Sequence, residues 1–521
     1  MSGLQPSGAR TEIMPFVKSE LEEALAQNIA LTFDDVRVDT GYSEILPSEV
    51  NLESRFSRNV GLRAPLVSAA MDTVTEHEMA IEIAKQGGIG VLHKYLGHER
   101  QLSEFYKVKF HLHALITKPI TVRSNMRISD VLEMRRREGY GFNTFPVVDE
   151  EERFVGIVTG NDFELCGESS QTIKDIMTSN PVTGGIGLTI EGAYKLMIEE
   201  KKKVLPLVDD SGILAGMYVW SDVQRVMSGK SDKYNLDKDK RLMVGIAVGV
   251  DGSVPESLDD FVRQGLDVVV IDSAHGYSKK VIDTLRAIKR RHPSLDVVAG
   301  NISTEDAALD LAKAGADGIK VGQGGGSICT TRVVAGIGCP QITAVYRCAK
   351  ALSRAGYDIP ICSDGGVRYS GDVVLAIGAG AHSVMLGNVL AGADETPGEV
   401  IQHKGRQYKV YRGMGSEGAM KESAAARERY GQDGNQVKFV PEGVEGLVPY
   451  KGKVEKIIFQ FVGGLRSGMG YVGAGTIEEL RKKSRFIRIT QAGRAESHPH
   501  DVLITIEPPN YSVPVEDTER R

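Results

Sequence analysis

Short apolar runs alternate along most of the chain with longer stretches patterned as helices. Eight of the short runs read as strands: Pro65–Ala70, Ile89–His93, Met243–Val248, Val268–Asp272, Val297–Gly300, Ile319–Gly322, Ile361–Asp364 and Ser383–Leu386. From the third onward they mostly follow at intervals of about 22 to 28 residues, the length of a strand plus a crossover helix. The stretch from Ser303 to Ala312 illustrates the helices: it opens with capping residues, and Ala314-Gly315 ends it. Eight such units predict an α/β fold, a (β/α)₈ barrel. The competing arrangement is an open, doubly wound sheet.

One stretch breaks the rhythm. Phe145-Pro-Val-Val-Asp149, followed by Gly156–Asp162, recurs as Leu205-Pro-Leu-Val-Asp209 followed by Gly216–Asp222, at an offset of 60 residues. Each unit reads as a helix, an apolar strand, a turn and a second strand ending before a helix. Residues 113–226 therefore form a tandem pair of small α/β modules, with repeats at about 113–168 and 172–226. Two repeats cannot extend as a solenoid, so they must close against each other. The pair falls between the second and third barrel units, leaving residues 1–110 and 232–521 for the barrel.

Length supports this division: 521 residues exceed the roughly 150 of an average domain several-fold. Glycine is in excess, 59 residues or about 11% against a usual 7%, without the Gly-x-y period of collagen. The net charge of −6 argues against a sequence-independent nucleic-acid coat. No apolar run approaches the roughly 20 residues of a membrane span. Residues 1–16 lack the layout of a secretory signal. The five cysteines (Cys166, Cys329, Cys339, Cys348 and Cys362) form no CxxC and are odd in number, which suits a reducing, cytoplasmic compartment.

Barrel chemistry gathers at the C-terminal ends of the strands. Those ends carry Ser68–Asp72, Asp272–Gly276, Gly300-Asn301, Gly322–Thr331, Asp364–Gly366 and Gly387-Asn388. Four glycines among Gly322–Gly326 disfavour a helix and let backbone groups converge on a ligand or ion. Cys329 closes that loop, and both a nucleophilic thiol and a small buried core residue fit its pattern. The loops after the seventh and eighth strands, Asp364-Gly365-Gly366 and Gly387-Asn388, stand where barrels bind phosphate, and a neighbouring carboxylate suits a ribose diol.

Gly324–Arg332 with Ala335–Gln341 resembles the signature loop of the inosine 5′-monophosphate dehydrogenase family. Leu31–Val36, Ser68–Thr75, Tyr411–Ser416 and Arg429-Tyr430 match as well, so the resemblance runs from about residue 28 to 510. The tandem repeat resembles the CBS (Bateman) module inserted in that family's barrel.

The resemblance implies an NAD-dependent oxidation of inosine monophosphate (IMP) to xanthosine monophosphate, the committed step towards guanine nucleotides. Cys329 would attack the purine C2, and the resulting thioimidate would be hydrolysed with Arg429 on a mobile flap as base, Tyr430 beside it and Thr331 positioning water. An arginine normally stays protonated, so this role demands a desolvated flap. Ser327, Gly365, Gly366, Gly387, Asn388 and Tyr411 would hold phosphate, and Asp364 the ribose. Arg412, Gly413, Met414, Gly415 and Glu442 would line the purine side. NAD would lie against Asp272, Ser273, Ala274, Gly322, Gln323 and Gly324.

The family also implies K⁺, held by carbonyls of Gly324, Gly326 and Cys329 and by Glu496, Ser497 and His498 of a neighbouring copy. Taken alone, Glu496–His500 reads as a polar tail, and its two histidines lack a third metal ligand. The implied assembly is a homotetramer that the modules could pair into an octamer. ATP or GTP would bind the modules at Thr159, Asp162 and Asp222. No membrane or nucleic-acid partner is implied.

Two departures stand out. Gln323-Gly-Gly325 occupies a place where the family commonly has Ile-Gly-Pro, and Val219 replaces the hydroxyl that Thr159 supplies in the first repeat. Unequal nucleotide sites are therefore expected. Guanosine monophosphate reductase shares the barrel and cysteine loop but normally lacks the insert and the Arg-Tyr pair. A third reading is an inactive nucleotide-sensing assembly protein.

Overall fold

Eight parallel strands close into a barrel: β1 (Leu66–Ser68), β2 (Ile89–Leu92), β3 (Val244–Val248), β4 (Val268–Asp272), β5 (Asp296–Ile302), β6 (Gly318–Val321), β7 (Ile361–Asp364) and β8 (Ser383–Leu386). The open-sheet alternative is thereby excluded, because β8 pairs with β1 and β2 with β3. This computed structural model describes residues 16–511 except 113, 117–118, 139, 141, 166–170, 228–229 and 431–439. Cys166, the repeat boundaries at 113 and 168, and residues 1–15 lie outside the described residues.

The strand ends differ from the apolar runs where polar groups extend or stop the ladder. β5 begins one residue early, at Asp296, because its carboxylate accepts hydrogen bonds from Ser57 Oγ at 2.5 Å and Asn59 N at 2.7 Å. A buried carboxylate so satisfied can sit in a ladder that hydropathy alone ends sooner.

Helices cover the outside. Among them are α1 (His77–Lys85), α2 (His98–Lys109), α3 (Lys279–Arg291), α4 (Glu305–Ala314), α5 (Gln341–Arg354) and α6 (Ser370–Gly378). In α4, Thr304 Oγ1 caps the amide of Ala307, and Gly315 ends the helix at φ 101°. Beyond β8 the chain makes an antiparallel three-stranded sheet, β9 (Ile401–His403), β10 (Arg406–Arg412) and β11 (Glu445–Pro449). Between β10 and β11 stand two short helices, α7 (Glu417–Glu422) and α8 (Ala424–Arg429). Helix α9 (Val454–Val472) then packs on α6 and α1.

The chain divides into two compact units, Met1–His111 with Lys233–Arg521, and Leu112–Asp232. In the second unit two four-stranded sheets each have their own apolar core, one around Phe145 and Val158, the other around Leu205 and Tyr218. Both central strand pairs slip register at the corresponding step, Val147/Val148 and Leu207/Val208, so the repeat is structural as well as textual. A bridge between Arg153 and Ile213 joins the halves.

Glu104 on α2 ties down the start of α1 by accepting hydrogen bonds from His77 N at 2.9 Å and His77 Nδ1 at 2.6 Å. Burial pushes its carboxyl up, but the hydrogen bonds from His77 and Lys107 outweigh burial and bring it down to about 2 from 4.5. A depressed folded pKa stabilises above the unfolded value, and the contribution is lost as pH falls from about 4.5 towards 2. Glu104→Gln should therefore cost about 1–2 kcal/mol at neutral pH, solvent screening reducing the effect of the full shift. Denaturant midpoints recorded against pH should show the difference from the native chain shrinking as the acid limb is descended.

Candidate functional site

The parallel register brings polar residues from four adjacent strands together at the barrel mouth. Asp272 on β4 pairs in register with Gly300 on β5, Gly300 with Lys320 on β6, and Asp364 ends β7. Lys320 Nζ lies 2.8 Å from Asp364 Oδ2 and 3.3 Å from Asp272 Oδ1, and it also donates to Asn301 Oδ1. Asn301 Nδ2 in turn donates to Asp364 Oδ2 at 2.8 Å and to the Gly322 carbonyl at 2.7 Å. Lys320 and Asp272 are each only 3% exposed, so two carboxylates and an ammonium share a buried space, as buried charges must.

Above this layer opens a cavity of about 660 Å³. It is lined by the Gly322–Cys329 loop, Asp364–Gly366, Gly387, Asn388, Tyr411, Gly413, Met414, Arg429, Tyr430 and Glu442. Asp272, Ser273, Ala274 and Thr331 complete the wall. The predicted catalytic, cofactor and most substrate residues therefore face one space. Arg412 and Gly415 do not line it: Arg412 is held by Asp72 at 2.6 Å and Glu422 at 2.6 Å, and Gly415 lies buried against the Tyr430 ring.

Glycine is obligatory at one point of the rim and favoured at another. Gly322 has φ 149°, and a Cβ there would lie 2.0 Å from the Asp364 carbonyl oxygen. At Gly387 a Cβ would meet the Tyr411 hydroxyl at 2.9 Å. These close approaches, rather than loop flexibility, account for glycine at the two positions.

The cysteine loop is tied at its neck and its tip. Arg332 Nε donates to the Gln323 carbonyl at 3.1 Å and Nη2 to the Cys339 carbonyl. Gln323, left open by the sequence, accepts a hydrogen bond from Ser303 Oγ at 2.6 Å. At the tip Cys329 Sγ–H donates to Thr331 Oγ1 at 3.2 Å, and Thr331 donates to Glu442 Oε2 at 2.7 Å. A thiol, a hydroxyl and a carboxylate thus form a continuous hydrogen-bonded chain that can carry a proton.

Arg429 ends α8 and forms an ion pair with Asp272, while Ala274 N donates to the Arg429 carbonyl at 3.4 Å. The predicted base thus lies on two residues predicted for the cofactor. Burial disfavours its cation, but Tyr95 and Tyr430 outweigh burial and hold the guanidinium above its ordinary value. In this arrangement Arg429 is held as a cation, beside Asp272, Tyr95 and Tyr430.

Other predicted residues lie apart. Ser497 and His498 line a second cavity with Tyr369 and Tyr511, and Glu496 ends a short helix, Gln491–Glu496, where the sequence suggested a polar tail. No group of three or more His, Cys, Asp or Glu suited to a metal ion occurs among the described residues. In the inserted unit Asp162 Oδ2 accepts from Thr159 N at 2.7 Å and Thr159 Oγ1 at 2.8 Å, a cap on the helix Gly160–Glu164. Asp222 stands in the first turn of the helix Trp220–Met227.

Sequence reasoning missed Lys320 and Lys94. Lys94 Nζ donates to the Asp272 carbonyl at 3.2 Å, and burial draws its ammonium down to about 8. The available signal for Lys320 was a charge inside the otherwise apolar run Ile319-Lys-Val321.

Comparison with known proteins adds to this geometry. Residues 30–500 match the IMP dehydrogenase / GMP reductase domain. Inosine-5′-monophosphate dehydrogenases of Aquifex aeolicus and Bacillus subtilis are 47% and 45% identical, covering 95% and 93% of this chain and 99% and 98% of their own. A crystal structure of a Trypanosoma brucei GMP reductase variant with guanosine 5′-monophosphate aligns with TM-score 0.82 at 40% identity. It covers 92% of this chain and 100% of its own, more than residues outside 112–232 could supply. The insert therefore does not separate the dehydrogenase from the reductase.

The cysteines differ in their surroundings. Cys329 is half-buried at the cavity, whereas Cys339, Cys348 and Cys362 are buried, and burial pushes the thiols of the last two up to about 12. Iodoacetamide at pH 8 should label Cys329 before Cys339, Cys348 and Cys362, with Cys348 and Cys362 modified only after unfolding. Peptide mapping over a time course checks the order, and early labelling of Cys362 would contradict this packing.

Proposed function

The chain belongs to the IMP dehydrogenase / GMP reductase family, and from that premise we propose that it oxidises inosine monophosphate to xanthosine monophosphate with NAD⁺ as hydride acceptor. The observation carrying this reading is the hydrogen-bonded chain from Cys329 through Thr331 to Glu442 at the edge of a cavity that also holds Asp364 and Arg429.

The thiol proton of Cys329 passes through the Thr331 hydroxyl towards the Glu442 carboxylate, leaving a thiolate to bond to the purine C2. The dinucleotide supplies the acceptor for the hydride that leaves C2. Asp272, Ser273 and Ala274 on one side and Gly322, Gln323 and Gly324 on the other would hold it, within a cavity of ordinary ligand-site size. Water then adds to C2, the C2–S bond breaks, and the thiol is restored. The balance is inosine monophosphate, NAD⁺ and water giving xanthosine monophosphate, NADH and a proton.

Asp272 and Ala274 cannot serve the dinucleotide and Arg429 together, so the two half-reactions use this wall in turn. Tyr430 packs beside Arg429 and supports it in the hydrolytic half. Ser327, Gly365, Gly366, Gly387, Asn388 and Tyr411 would take the phosphate and Asp364 the ribose hydroxyls. Arg412 acts from behind, by fixing Asp72.

A monovalent cation, K⁺, suits the carbonyl oxygens of Gly324, Gly326 and Cys329. The Gly326 oxygen already accepts from Cys329 N at 3.1 Å and keeps a second lone pair. Glu496, Ser497 and His498, which lie away from the cysteine loop of their own chain, would complete the cation site of a neighbour in a homotetramer. We read residues 113–226 as a CBS pair binding ATP or GTP at Thr159, Asp162 and Asp222, weaker in the second half for want of a hydroxyl at Val219, and able to pair tetramers into octamers. No described helix is long and apolar enough to cross a membrane, and the cytoplasm is the proposed location.

The structural likeness to GMP reductase supports a second reading, the reductive deamination of guanosine monophosphate. Absorbance of NADH in the presence of inosine monophosphate, NAD⁺ and K⁺ decides between them. Turnover of guanosine monophosphate with NADPH instead would overturn the dehydrogenase reading. Cys329→Ala should abolish hydride transfer. Arg429→Ala should preserve the first burst of NADH and slow later turnover at least tenfold, with a covalent Cys329 adduct visible by intact-mass spectrometry.

A further inference from the structure

Lys320 is the one described cation that contacts carboxylates on both sides of the barrel mouth. Its Nζ leans towards Asp364, at 2.8 Å, and away from Asp272, at 3.3 Å. The other carboxylate oxygen of Asp272 holds Arg429. A carboxylate pairs less strongly with one cation when a second approaches, because each neutralises part of the same charge. In this buried setting the two pairings compete with little screening.

We propose that Lys320 is a positioning residue that couples ribose binding at Asp364 to the release of Arg429 from Asp272. The proposal rests on the reading of Asp364 as the ribose carboxylate and of Arg429 as the hydrolytic base. Lys320 Nζ and Asn301 Nδ2 both donate to Asp364 Oδ2, and a ribose diol donating to the same carboxylate draws on the charge that holds the lysine there. The ammonium then shifts towards Asp272 and weakens the grip of that carboxylate on Arg429. Nucleotide occupancy thereby prepares the arginine for the step that follows hydride transfer. Asp272, Lys320 and Asp364 stand on strands β4, β6 and β7, so the rigid barrel fixes their separations and leaves the lysine side chain as the moving part.

Coupling between two sites is reciprocal. Arg429→Ala frees Asp272 to draw Lys320 away from Asp364, so the affinity for inosine monophosphate should rise, by about three- to tenfold, the size of an ordinary coupling. In a Lys320→Met background the same Arg429→Ala change should leave affinity unaltered. Lys320→Arg, which keeps the charge, should restore the effect. Titration calorimetry of the full chain with inosine monophosphate reads all of these without turnover.

Should Lys320→Met fail to fold, Asp272→Asn keeps the shape of the network and removes the charge that Lys320 and Arg429 share. Arg429→Ala should then have no effect on affinity in that background. An equal effect of Arg429→Ala in both backgrounds, or no effect in the native chain, overturns the coupling while leaving the proposed reaction standing. A native chain that binds no inosine monophosphate overturns the substrate reading, and the coupling with it.

Discussion

The register of the parallel ladder governs the chemistry of this molecule. Asp272, Gly300 and Lys320 are in register, and Asp364 stands two residues beyond Cys362, the register partner of Lys320, so four neighbouring strands deliver two carboxylates, an amide and an ammonium within reach of one lysine side chain. None of these groups could be buried alone, since an isolated charge in such a place would cost several kcal/mol. Together they satisfy one another and form a polar floor. The cysteine loop, the phosphate loops and the arginine of α8 are all arranged around that floor.

The floor also explains the distribution of glycine above it. The backbone at Gly322 passes within a Cβ's reach of the Asp364 carbonyl, and the Gly322 carbonyl accepts from Asn301. The loop bearing Cys329 therefore begins from a point pinned by the same network that positions Asp364. Substrate anchoring and nucleophile placement share a mechanical origin, and Arg332 and Gln323 extend the restraint to the neck of the loop.

Much of this was legible in the sequence. All eight barrel strands could be read as apolar runs, and the module repeat appeared as an offset of matched residues, because burial and repetition write directly into hydropathy. Cys329, Thr331 and Asp364 converge as their positions at strand ends suggested, whereas Tyr430 and Glu442, which join them, were marked only by the family resemblance. What stayed hidden was pairing. Nothing local in Ile319-Lys-Val321 announces that a lysine faces two carboxylates 44 and 48 residues away. Similarly, Arg412 carries a charge that suits a ligand, yet Asp72 and Glu422 use it for structure. The Thr159–Asp162 spacing fits both a nucleotide site and a helix cap, and the cap needs no ligand.

Arg429 brings these strands of argument together. An arginine loses its proton only where its charge is poorly compensated, yet in the observed arrangement it sits on a carboxylate between two phenols that favour the charged form. Loss of the Asp272 contact removes one of these neighbours, and it follows when Asp272 takes another partner. The fold supplies that alternative partner in Lys320 rather than in a mobile anion, so the change requires one flexible side chain to lean between fixed strands. The protonation state of Arg429 thereby depends on how the charge of Asp272 is shared across the floor of the barrel.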